Sequence, residues 1–263
     1  MDQVPPSQAT DRRAAWAIGG AAGVVLAVLT AIVVFGYVPV PEFPRLADGP
    51  DASIPGQVAY VVGEQDRSCI MVVPAGGGQA TEVACRRDGF EALGWTADGL
   101  IVASVFTDFR PVVGGGTILV YDPATGHEVA SLVAGPSGTD RLHQVESERD
   151  SQGRRLEVPW TDDRRAKALI VTTSGEETTI VDVEGPRDYV FLGAQWSPDG
   201  EWIMLVDSRD RLLVLAADAT PGPRVLADLH RDDGDRWSGT RPAWFIPGDA
   251  THTVEVDDLD PTA

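Results

Sequence analysis

The chain has 263 residues, of which 21 are Lys or Arg and 40 are Asp or Glu, giving a formal net charge of −19 at pH 7. A surface this acidic repels phosphate backbones and anionic lipid head groups, so nucleic-acid binding and peripheral attachment to a membrane surface are poor readings of its function. Cys69 and Cys85 are the only cysteines, which rules out a multi-disulfide scaffold or a cysteine-rich metal site.

Residues 1–13 form a short polar stub ending in Asp11-Arg12-Arg13. From Ala14 to Val38 there is no charged residue, and at 1.5 Å per residue a helix over this run is about 37 Å long, against a hydrocarbon core of about 30 Å. A transmembrane helix over 14–38 is therefore expected. The run is longer than the apolar region of a cleaved signal peptide, and Tyr37-Val38-Pro39-Val40-Pro41 offers no small-residue cleavage site, so it reads as an uncleaved signal anchor. Arg12 and Arg13 keep the N-terminus cytoplasmic and place the rest of the chain outside. Gly19 and Gly23 form one Gly-x-x-x-Gly pair, a basis for self-association between helices.

Two acids and two bases lie in the stub, so the full charge of −19 falls on the exterior portion. Lys167 is the sole lysine beside 20 arginines, a bias expected of a GC-rich bacterial genome rather than of a mechanism. Residues 39–55 contain Pro39, Pro41, Pro44, Pro50 and Pro55 and read as a stiff extended spacer.

Residues 56–256 read as β throughout. Gln57–Val62, Gly99–Ser104, Thr117–Tyr121, Ala168–Thr172 and Trp202–Val206 are short, rich in β-branched and aromatic residues, and bounded by Gly, Pro or Asp. Pro74–Gly78, Asp122–Gly126 and Thr173–Glu176 supply hairpin turns between such runs. If Gly77 centres the first of these turns, Cys69 and Cys85 face each other across two neighbouring strands. In an oxidising compartment a disulfide is then expected; a reduced pair is the expectation for a cytosolic chain.

The hairpins recur as larger units. Trp196-Ser197-Pro198-Asp199-Gly200 precedes three strand-like runs separated by turns, and Trp95-Thr96-Ala97-Asp98-Gly99 opens the same order. Trp160 and Trp244 open degenerate copies, and 56–85 is an opening unit without the tryptophan.

The Trp-Ser-Pro-Asp-Gly element with its following strands resembles the TolB-type, WD-like β-propeller repeat. The resemblance implies a turn built by Pro-Asp-Gly and a tryptophan packed between blades. The expected fold is all-β, with propeller-like four-stranded antiparallel blades, partial or about five in number, behind one transmembrane α-helix. An open sandwich, or a partial ring that pairs with another chain, remains the alternative. In that family propellers serve chiefly as binding and scaffold modules of the cell envelope.

No catalytic constellation is visible. Gly135-Pro136-Ser137-Gly138 lacks nucleophile-elbow spacing, and His127, His143, His230 and His252 are scattered, so neither serine hydrolysis nor a zinc site is expected. The clusters Asp232–Asp235 and Asp257–Asp260 lack calcium-loop spacing; 257–263 reads as an acidic tail. Phe109 and Arg110, in a loop at 107–116, are candidate recognition residues, with packing over a blade edge as the alternative. No cofactor and no metal are expected, and the expected partner is another envelope or membrane protein. The competing readings are a carboxylate-dependent hydrolase of an envelope polymer and a sensor acting across the membrane through a partner helix.

Overall fold

The computed structural model describes residues 49–64, 67–105, 116–134, 142, 149–159, 165–184, 190–218, 220, 222–229 and 240–259. The stub, the apolar run 14–38 and the first part of the spacer lie outside these residues, as do Phe109, Arg110 and Trp160. Among the described residues no helix is long and apolar enough to cross a membrane.

The described chain is all-β, in four antiparallel sheets. Sheet I holds β1 (Gln57–Glu64), β2 (Arg67–Pro74) and β3 (Thr81–Arg86), completed by the C-terminal strand β15 (Ala243–Phe245) in the order β15-β1-β2-β3. Sheet II is β4 (Phe90–Trp95), β5 (Ile101–Val105), β6 (Gly116–Tyr121) and β7 (Glu128–Ala134). Sheet III is β8 (Arg155–Glu157), β9 (Arg165–Val171) and β10 (Glu177–Glu184), with Arg149 bridged to Arg155 beside β8. Sheet IV is β11 (Phe191–Trp196), β12 (Trp202–Asp207), β13 (Arg211–Ala216) and β14 (Arg224–Asp228).

This corrects the count of units. Trp244 does not open a fifth blade; it sits on β15, where Trp244 faces Val58 and Phe245 faces Gln57, so the two ends of the domain share one sheet. Such closure protects what would otherwise be an unpaired inner edge. The third unit also begins earlier than its tryptophan suggests, because its first turn is at 150–154.

The repeat is legible in the ladders as well as in the sequence. In each sheet the outermost strand carries one extra residue: Val83 in β3, Val129 in β7, Ile180 in β10 and Leu226 in β14. A bulge twists an exposed edge and discourages pairing with other chains.

Sheets I and IV are apolar on both faces, as β13 shows with all six residues buried. This follows from their having a neighbour on each side. Sheet I packs on sheet IV through Val58, Tyr60, Met71, Met204 and Leu212, and on sheet II through Ala59, Val61, Ile70, Trp95 and Ile101. Sheet IV meets sheet III through Trp196, Ile203, Leu205, Ile170 and Ile180. On the other face of sheet II, Ala92, Val102 and Ile118 are covered by Leu142 and Leu259, with Val254 and Val256 beside them.

Both ends of the domain extend past their predicted limits. Ile54 is buried in the seam between sheets I and IV, Asp51 donates its N–H to the carbonyl of Gly76, and Arg224 bonds the Gly49 carbonyl at 2.7 Å and the Asp51 carboxylate at 3.1 Å. The last residues of the spacer are thus docked rather than free. In the acidic tail, Asp257–Leu259 form one 3-10 turn that buries Leu259.

Candidate functional site

The repeat turns show how local sequence positions the inner strands. After Trp196, the N–H of Gly200 donates to the Ser197 carbonyl at 3.0 Å, and the Trp202 N–H donates to the Ser197 hydroxyl at 2.9 Å. Asp199 accepts from that hydroxyl and from the Glu201 N–H, and Gly200 supplies the positive φ of 74° that closes the turn. In sheet II, Thr96 takes the place of Ser197 and Gly99 that of Gly200, while Asp98 sits at the exposed tip. In sheet III the same geometry is made by Asp150, whose carboxylate accepts from the backbone of Gln152 and Arg154, with Gly153 as the closing glycine. The signal Asp150-x-x-Gly153 was available in the sequence; reading by tryptophan alone passes over it.

The described tryptophans lie between sheets. Trp95 faces sheet I, stacks on Phe245 at 5.1 Å and donates its indole N–H to the Ala243 carbonyl at 2.9 Å. Trp244 lies in the seam with sheet IV and donates to the Pro55 carbonyl. Trp196 lies in the seam with sheet III, under the Arg154 guanidinium 4.8 Å from its ring.

Cys69 and Cys85 are directly opposed on β2 and β3 and form a disulfide with Cα atoms 4.0 Å apart. The register reaches this pairing by a different route from the symmetric turn expected: Met71 faces Glu82 and Val72 faces Thr81, and the Val83 bulge then shifts the ladder by one residue. Glu82 lies close to both sulfurs, but a disulfide has no thiolate to offer a metal. Of the four histidines, His127 is exposed and His252 half-buried, while His143 and His230 lie outside the described residues, as do Asp232–Asp235 and Asp260.

A cavity of about 550 Å³ is bordered by β8, β11, part of β12 and the residues leading into β15. It therefore lies among the inner edges of sheets I, III and IV. Its wall combines apolar Leu156, Val158, Pro159, Ala194, Met204 and Val206 with the polar groups Arg155, Glu157, Gln195 and Arg241. Arg155 and Glu157 form an ion pair across one residue of β8. The size and the few polar groups on an apolar wall fit a small-molecule or peptide-segment site. Sequence reasoning did not single out these four residues, because the cavity is made by strands from three sheets and no local pattern joins them.

No family model matches the chain, and no curated protein matches it. Solved structures do. An uncharacterised protein from Listeria monocytogenes is 8% identical over 66% of this chain and 51% of its own, with a TM-score of 0.25. The AtxE2 isopeptidase in its apo form is 12% identical over 67% and 39%, with a TM-score of 0.33. The acylaminoacyl peptidase of Pyrococcus horikoshii is 15% identical over 66% and 30%, with a TM-score of 0.26. This chain thus spans about half or less of the length of these three proteins, and at such scores the fold rests on the strand order and registers described above.

Proposed function

We propose that this chain is a membrane-anchored, extracytoplasmic binding module of the cell envelope, in which a propeller-like domain captures another envelope component at its inner cavity. The observation that carries this reading is the cavity itself, bordered by three separate sheets and lined, among the described residues, by apolar side chains with Arg155, Glu157, Gln195 and Arg241. The disulfide supports an oxidising compartment, which agrees with an exterior domain behind the apolar run 14–38.

Crosslinking in intact cells, followed by affinity capture of the full chain, tests the proposal. A specific envelope partner is expected, its recovery lowered by Gln195→Trp, which fills the cavity. Capture of the same set of proteins by wild type and by this variant would overturn the assignment to the cavity. A tag at residue 263 that resists protease added outside intact cells would overturn the topology.

A further inference from the structure

We propose that Cys69, Cys85 and Glu82 form a zinc site that the disulfide keeps closed and that a dithiol reductant opens. The site stands apart from the cavity and does not depend on the binding role proposed above.

The geometry comes from the bulge in β3. In a regular strand residues three apart point to opposite faces, so the sheet would separate Glu82 from Cys85. Val83 is the extra residue, and with it Glu82 faces Met71 while Cys85 faces Cys69. Met71 and Cys69 are two apart on β2 and share a face, so Glu82 comes to the side of both cysteines. A carboxylate oxygen and the two sulfurs lie within 4.8 Å of one another. A tetrahedral zinc ion holds such ligands roughly 3.5–3.8 Å apart, within reach of side-chain rotation once the S–S bond is broken.

Thiolates select zinc over magnesium or calcium, and the carboxylate completes a set of three ligands with one position left for water. Glu82 is exposed and Cys85 partly buried, whereas Cys69 is fully buried in the seam between sheets I and IV. An ion therefore enters from the Glu82 side. Glu82 need not be free of other partners, since a carboxylate has two oxygens and ligating carboxylates are themselves hydrogen-bonded.

A dithiol opens the site in two exchanges. One of its thiolates attacks the Cys85 Sγ, the more accessible sulfur, and the S–S bond breaks with Cys69 leaving as a thiolate. The second thiolate then displaces Cys85, and the reductant departs as a disulfide. Two electrons pass from the dithiol to the cysteine pair. A bare thiolate in the apolar seam is disfavoured and takes up a proton, whereas zinc holds both sulfurs deprotonated and sends two protons to water.

The test uses the full chain in bilayer nanodiscs, either oxidised or reduced with a phosphine, which adds no competing thiol. Cobalt(II) is the probe, because its thiolate charge-transfer absorption reports ligation by sulfur rather than by the many acidic side chains. The reduced chain is expected to show that absorption at one cobalt per chain, zinc to displace the cobalt, and the oxidised chain to show none. Glu82→Gln is expected to weaken zinc on the order of tenfold, and Cys85→Ser to abolish the absorption. In the reduced wild type zinc should also slow alkylation of both thiols, a readout that needs no variant. No absorption on reduction, full affinity in Glu82→Gln, or alkylation unaffected by zinc would each overturn the site. A reduced chain that unfolds and is not refolded by zinc would overturn it as well.

Discussion

Three of the seams between sheets are built alike, and the remaining boundary of sheet II is not. The bulge residue of the outermost strand plugs the next seam in sheets I, III and IV, where Val83, Ile180 and Leu226 are 7%, 9% and 6% exposed. Its counterpart in sheet II, Val129, is 53% exposed. The difference begins in sheet III. The face of β8 and β9 turned to sheet IV carries Leu156, Ala168 and Ile170, while the alternate residues Arg155, Glu157 and Lys167 turn the other way. The charged side chains on that face, which lie beside Val171, disfavour a dry seam with Ala92, Val102 and Ile118.

The C-terminal residues take the place of that seam. The Val254 N–H donates to the Trp95 carbonyl at 2.8 Å, and Leu259 and Leu142 complete the apolar cover of sheet II. Gly94 lies beneath them, and a Cβ there would come within 2.7 Å of the Leu142 Cδ1 methyl, which would have to shift. His252 reaches the backbone of Arg149 at the start of sheet III, so one segment touches both sheets. The lesson is that four similar repeats do not make four equivalent seams: the second face of one sheet sets how its neighbour must be covered.

This contrast can be broken most directly by charge. Ile180→Asp and Leu226→Asp bury a carboxylate in apolar seams and are expected to cost about 4 kcal/mol or more, whereas Val129→Asp stays within about 0.5 kcal/mol. Thermal melts of the full chain followed by tryptophan fluorescence would compare the three; a large loss for Val129→Asp would show that this boundary is as closed as the others. Leu259→Ala comes next, at about 2–4 kcal/mol for a fully buried side chain, and an unchanged melt would mean the C-terminal cover contributes little. Cys69→Ala together with Cys85→Ala opens a loop of 16 residues and is expected to cost about 3 kcal/mol.

The smallest effect concerns pH. Burial lowers the pKa of His252 from 6.5, partly offset by its bond to Arg149 and by Asp249. The unfolded chain therefore binds a proton more readily than the folded one below about pH 6.5. Stability from this group is full above that pH and falls as the pH drops below it. The carboxylates of Asp51 and Asp122, lowered by hydrogen bonds from Ser53 and from the Ala124 amide respectively, act in the same direction but only below their ordinary value of 3.8. A melt measured at pH 7.5 and 5.0 should fall more in wild type than in His252→Asn; equal falls would remove His252 as the cause.

Much of the domain was legible from residues alone. The runs around Gln57, Thr117 and Trp202 are strands, and the turns after Trp95 and Trp196 close on Gly99 and Gly200. Strand character was also readable in sheet III, but its frame was not, because Asp150 builds the turn there with no tryptophan before it. The inner-cavity residues Arg155, Glu157, Gln195 and Arg241 carry no motif and emerge only when three sheets converge.

Residues a few positions apart are enough to set alternation within strands, glycine at positive φ, and two cysteines facing across one hairpin. Tertiary structure alone decided the closure of sheet I by β15, where Trp244 bonds Pro55 across 189 positions of chain, and the C-terminal cover over sheet II. Those contacts are selected by which faces remain apolar and uncovered once the sheets have packed, and that is a property of the assembled domain rather than of any segment.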